Sequence, residues 1–242
     1  MRGNRNRVKA AQREPTSFWT PVWRAVVFLL SAASIWCLLA EMYGLCSMQT
    51  FTIRILLPAT IVLVGLAFWD RARGDGRLWR GFVIGSIAGF AAAIAYDVFR
   101  LPFVFSRQWG LNWVVPPIPL FKVFPRFGAM ILGQAVEQPE YSLAAHLVGW
   151  AYHFSNGVTF GIMYLALIGD GRRRAWWWGI VLAVGLELAM LFTPYPGTFG
   201  IRVTGLFVVV TLTAHLIFGV VLGALSKSMA PATRERSLVG AV

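Results

Sequence analysis

His153 and His215 open the segments HFSNGVTFG and HLIFGVVLG, and each is followed by glycine at the fourth and eighth positions. Steps of four return to one face of a helix. His153, Gly157 and Gly161 therefore form one column, and His215, Gly219 and Gly223 form another. Two imidazoles on glycine-lined faces are a donor set for axial ligation of one haem iron, the glycines giving the macrocycle room. With Glu187 or His146 as a third donor, the same pair suits zinc or copper. Asn156 or Thr211 would supply the outer hydrogen bond that orients a ligating imidazole. Haem or a transition metal is thus the cofactor this pattern admits, with His153 and His215 as its ligands. The plainer alternative is that each histidine satisfies a hydroxyl or carbonyl on a neighbouring helix. A shared site needs ring nitrogens within about 4–5 Å of a common point. Separate roles give each ring its own partner, with a helix between them.

A second set of residues suits anions. Arg54, Arg100, Arg126 and Arg202 could hold phosphate by charge-assisted hydrogen bonds, with Glu187 or a histidine as acid or base. The same arginines also suit membrane-interface anchoring. In YDVFRLP, Asp97 stands three residues before Arg100, a spacing that pairs them on a helix. Pro102 then predicts that the helix stops.

The elements that must carry these residues are membrane helices. Of 242 residues, 57% are hydrophobic and only 13% charged, where a soluble domain carries about 25% charge. The apolar residues fall in blocks of roughly 20, enough to cross about 30 Å of hydrocarbon as helix. That excludes a soluble enzyme or a nucleic-acid-binding protein, despite a net charge of +12; the basic residues anchor loops and contact anionic lipid. Cys37 and Cys46 lie about 13 Å apart along a helix, too far for a disulfide.

The fold expected is an all-α, polytopic transmembrane bundle of six spans: Arg24–Tyr43, Phe51–Trp69, Trp79–Arg100, Leu143–Ile168, Ala175–Phe192 and Thr204–Leu225. Residues 1–23 form a basic tail, 24–226 a single transmembrane domain, and 227–242 a second tail. Arginine and lysine cluster in alternate connections, including Arg71–Arg80, Arg172–Arg174 and both tails, which places both termini in the cytoplasm. Residues 101–142 contain Pro102, Pro116, Pro117, Pro119, Pro125 and Pro139, so they cannot be one straight helix. They are expected to form an outer cap, re-entrant or lying at the interface. Gly81, Gly85 and Gly89 lead at steps of four to Ala93 and Asp97, a small-residue column for close helix contact. Glu41, Arg54, Asp97, His146 and Glu187 fall in the outer halves of their spans, as a cavity open to that side requires.

No Walker loop, H-E-x-x-H, C-x-x-C or nucleophile elbow is present. YDVFRLP, YHFSNGVTFGIMYLAL and HLIFGVVLGAL resemble segments of uncharacterised small multi-pass proteins of bacterial inner membranes, a resemblance that implies no activity. The leading expectation is a non-catalytic accessory, assembly or scaffold subunit, with the lipid bilayer and other membrane subunits as partners and no nucleic acid. The first alternative is a bis-histidine haem or metal protein. The second is an enzyme or transporter for a lipid-linked anionic substrate at the outer leaflet.

Overall fold

The computed structural model describes residues 17–230. The basic tail residues Arg2, Arg5, Arg7, Lys9 and Arg13, and Arg234 and Arg236 at the other terminus, lie outside the described residues. Described are α1 (Pro21–Ser31), α2 (Ala33–Met42), α3 (Met48–Phe51), α4 (Leu57–Arg73), α5 (Arg77–Val104), α6 (Val123–Ile131), α7 (Leu143–Ile168), α8 (Trp178–Leu191), α9 (Tyr195–Thr198) and α10 (Gly205–Met229). A π turn at Thr52–Leu56 joins α3 to α4. No strand occurs among the described residues.

Three runs are long and apolar enough to cross a membrane: Met48–Arg73, α5 and α10. A fourth exists if α1 and α2, bent by 46° at Ala32, count as one. Six such helices are not supported. At 14 residues, α8 is about 21 Å long and short of the hydrocarbon thickness. Helix α7 has 26 residues, but His146, His153, Ser155, Asn156 and Thr159 dilute its apolar character. Its position explains the dilution: α1, α5 and α6 all pack against it, so many of its side chains meet protein rather than lipid.

Helix ends follow local chemistry. Ser142 and Thr204 accept from the backbone N–H groups of Ala145 and Phe207, capping α7 and α10. Asp70, fully buried, accepts at 3.0 Å from the Trp79 N–H in the first turn of α5. Arg24 closes the other end of α7 by donating to the Ala166 and Leu167 carbonyls. The expected stop at Pro102 does not occur; α5 continues to Val104. So near the end, the proline removes one hydrogen bond from the last turns without breaking the helix.

The proline-rich segment is more deeply placed than a surface cap. Pro125, Phe124, Phe127, Gly128 and Met130 of α6 are buried, and α6 lies along α7. A methyl group added at Gly128 would overlap the Ala145 carbonyl, and one at Gly149 the Phe124 carbonyl. Those two glycines let α6 seat against α7 and carry Lys122 and Arg126 to one end of the bundle.

Candidate functional site

The glycine columns decide where the histidines go. Gly85 faces Gly161 and Gly89 faces Gly157, so α5 and α7 run antiparallel with backbones touching. Gly219 faces Gly179 and Gly223 faces Trp176, so α10 packs in the same manner on α8. Gly81, at the head of its column, meets the Trp19 indole instead of a helix backbone.

These two helix pairs are copies of one arrangement. A methyl at Gly89 would meet the Gly157 carbonyl and the Gly161 nitrogen; a methyl at Gly179 would meet the Gly219 carbonyl and the Gly223 nitrogen. Eight residues after Gly89 comes Asp97, and eight after Gly179 comes Glu187. His153 and His215 each stand four residues before the glycine that makes the contact. The outcome is the same twice: a buried carboxylate beside an imidazole. His153 Nε2 lies 2.8 Å from Asp97 Oδ2, and His215 Nδ1 lies 3.5 Å from Glu187 Oε2.

The first pair is charge-balanced. Arg100, 4% exposed, donates to Asp97 Oδ1 at 3.2 Å and to the Leu120 carbonyl at 2.8 Å. Its guanidinium carbon sits 4.6 Å from the Tyr96 ring centre and within 5.5 Å of Phe124, an aromatic cradle that favours a cation. Its Nε is buried without a hydrogen-bond partner. In the second pair, His215 Nδ1 also lies 2.9 Å from the Thr211 carbonyl. A carbonyl only accepts, so Nδ1 carries the proton and Nε2 is the position left for a second. The Tyr96 ring touches both imidazoles, with centres 6.0 Å from His153 and 4.9 Å from His215; α5, which carries it, packs against both α7 and α10.

Two cavities meet at this centre. One, of about 440 Å³, is lined by Arg100, Lys122, Arg126, Arg202 and, alone among the described carboxylates, Glu187. Arg126 is fixed by the Phe199 carbonyl and, at 3.0 Å, by the exposed Glu137. Tyr195 forms part of the wall; burial pushes its phenol well above the usual range, so it stays neutral. The other cavity, of about 240 Å³, is mainly apolar, walled by residues such as Leu38, Met42, Phe127 and Phe160, with His153, Asn156 and His215 among its polar lining. Asn156 Oδ1 is buried there without a partner. Tyr96, Arg100, Val123, Met190 and Tyr195 line both spaces.

Of the residues singled out from sequence, His153, His215, Glu187 and Asn156 thus gather at one centre, with Arg100, Arg126 and Arg202 beside it. His146 is exposed and lies against Tyr141. Arg54 is exposed on the π turn and lines neither cavity. Sequence reasoning passed over Tyr96 and Lys122 as site residues; the spacing of Tyr96 four residues before Arg100 was the available signal. Among the described residues no group of three or more His, Cys, Asp or Glu side chains is placed to hold a metal ion. Of the two readings the pattern left open, a shared ligand pair or separate roles, the contacts fit the second: His153 engages Asp97, and His215 engages Glu187 and the Thr211 carbonyl.

A third cavity, of about 690 Å³, lies at the opposite end of the bundle and is lined by Arg24, Arg77, Arg80, Arg173 and Arg174. The basic connections therefore gather at one end and the carboxylate–imidazole centre near the other.

No curated protein and no solved structure matches the chain. Residues 118–237 match the model of a family of unknown function, DUF6789, so the likeness takes in α6 to α10 with Arg126, His153, Glu187, Arg202 and His215, and leaves Tyr96, Asp97 and Arg100 of α5 outside it.

Proposed function

We propose that this protein binds the anionic head of a lipid-linked substrate, such as a polyprenyl phosphate, and carries it across a membrane. The observation that carries the reading is the junction of the two cavities at Arg100: a head-sized space with four cationic side chains opens beside an apolar one. Guanidinium groups bind phosphate oxygens with two donors each, and an apolar slot takes hydrocarbon. The paired arrangement of α5–α7 and α8–α10 supports transport. In each pair the first helix runs from the arginine-rich end towards the basic cavity and the second returns, as in parallel internal repeats that flank a transporter's substrate site. The accessory-subunit role expected from sequence needs no cavity, which is why the substrate-binding reading takes precedence.

The proposed setting is a bacterial inner membrane with both termini in the cytoplasm. The arginines that gather around the third cavity would then face the cytoplasm. The exposed apolar side chains of α4, Ile61, Val62 and Phe68 among them, would face lipid or another subunit.

The test is thermal unfolding of the purified protein in mild detergent, with farnesyl phosphate, inorganic sulfate or an uncharged prenyl alcohol. Ligand at 100 times its Kd stabilises by about 2.7 kcal/mol. Farnesyl phosphate should raise the Tm most, sulfate less and the alcohol least. Arg126→Gln with Arg202→Gln should remove the charge-dependent rise, and Arg54→Gln should keep it. A Tm indifferent to both anions would overturn the proposal.

A further inference from the structure

The two carboxylate–imidazole pairs differ in one respect. Asp97 is bound by Arg100 three residues later on the same helix. The equivalent position after Glu187 is Met190. Asp97 is thus paired with a permanent cation as well as with an imidazole. Glu187 has no cation on its own helix; its nearest ionisable neighbour is His215 at 3.5 Å, and Arg100, Lys122, Arg126 and Arg202 share the cavity wall with it. An imidazole gains and loses its proton near neutral pH. The second pair is therefore free to change its proton content, and it is buried, with Glu187 4% exposed.

Its position makes that freedom consequential. Among the described residues Glu187 is the sole carboxylate in the wall of the basic cavity, and its partner His215 lines the apolar one. The groups around the pair come from every neighbouring element. Tyr96, Arg100 and, behind it, Asp97 come from α5; His153 from α7; Arg126 from α6 with Lys122 just before it; Tyr195 from α9; and Arg202 from the connection to α10. An anion drawn into the cavity by the arginines sits in the same space as Glu187. The two negative charges repel and compete for the same four cations, Arg100, Lys122, Arg126 and Arg202. The repulsion is relieved when the pair takes up a proton, on the Glu187 carboxylate or on His215 Nε2.

We infer that each anion entering the basic cavity is accompanied by one proton taken from water by the Glu187–His215 pair. The inference rests on the anion-binding reading above and adds the coupling. Binding and protonation are reciprocal: a bound anion strengthens the pair's hold on its proton, and a proton strengthens the hold on the anion. For transport, the cargo then crosses with part of its charge cancelled, and a proton gradient can drive it.

The experiment is calorimetric titration of the full-length protein in mild detergent with inorganic sulfate, which stays doubly charged across the working range and cannot itself supply the proton change. Titrations between pH 6 and pH 8 are run in two buffers of different ionisation enthalpy. The wild-type protein should show proton uptake approaching one per sulfate, with affinity falling by up to tenfold per pH unit as pH rises. Glu187→Gln removes the negative charge that the bound anion meets, and with it the gain from protonating either member of the pair, so uptake should fall well below the wild-type value and affinity should depend much less on pH. Sulfate binding without proton uptake in the wild-type protein would overturn the coupling and leave the anion site intact. No sulfate binding would overturn the coupling, and if farnesyl phosphate also fails to raise the Tm the anion-binding reading falls with it. The wild-type measurement in two buffers decides the matter even if the Gln variant fails to fold.

Discussion

Arg100 and Met190 occupy the same place in two copies of one helix-pair arrangement. Each stands three residues after a buried carboxylate, on a helix whose glycine eight residues before that carboxylate packs on a His-x-x-x-Gly helix. One copy carries a fixed cation and the other a thioether. Replacing the thioether should make the copies alike. Met190 lines both cavities, so Met190→Arg has space for its longer side chain. We expect it to pair with Glu187 as Arg100 pairs with Asp97. Sulfate titrations in two buffers should then show little proton uptake. Uptake equal to wild type would show that position 190 does not control the pair.

Glycine substitutions should separate contact glycines from free ones. A methyl at Gly89, Gly161 or Gly179 would run into backbone of the facing helix, whereas one at Gly65 or Gly185 would meet nothing within 4 Å. Gly89→Ala and Gly179→Ala should each cost about 1–3 kcal/mol through overpacking. Gly65→Ala and Gly185→Ala should be neutral or stabilise by up to about 1 kcal/mol, because alanine restricts the unfolded chain and favours helix. Unfolding in detergent, followed by circular dichroism, gives the ranking; equal tolerance at all four substituted sites would remove the packing argument.

Asp97 and Arg100 should couple strongly. Removing one member of a buried pair leaves the other's charge unmatched, at a cost of about 3–5 kcal/mol. Asp97→Asn and Arg100→Met should each fall in that range, Arg100→Met also releasing the Leu120 carbonyl. The double variant should lose clearly less than the sum of the two. Strict additivity would mean that the 3.2 Å contact contributes no coupling energy.

Asp70 should matter to α5 as a cap. Asp70→Ala removes the acceptor for the Trp79 N–H and should destabilise by about 1–2 kcal/mol, whereas Asp70→Asn, which keeps an oxygen, should lose less. Amide hydrogen exchange at the start of α5 would report the loss locally, with faster exchange at Leu78 and Trp79 in the Ala variant alone.

What could be read from the chain depended on the range of the interaction. The helical class and the glycine columns came from composition and steps of four, which are local properties. Pairing of Asp97 with Arg100 was legible for the same reason. The partner of each column was not: nothing near Gly157 says that it meets Gly89, or near Gly219 that it meets Gly179, because helix pairing depends on residues scores of positions apart. The second copy of the arrangement was hidden further by its sequence, since the column in α8 holds one glycine, Gly179, followed by Ala183 and Glu187, where Gly81, Gly85 and Gly89 form a visible row in α5. Span counting failed at the polar interior helix. Hydropathy measures what lipid would accept, and α7 is largely wrapped by protein. The bend at Ala32 had no proline or glycine to mark it.

That bend has a mechanical consequence. Leu38, Leu39 and Met42 of α2 form one wall of the apolar cavity, and α2 meets α1 at 46°. A ten-residue helix is a lever about 15 Å long, so a swing of about 10° at Ala32 moves its far end by about 2.6 Å. That displacement is comparable to the half-width of a hydrocarbon chain. The angle at Ala32 therefore helps to set the width of the apolar slot on this side, together with the packing of α2 on α3 and α7.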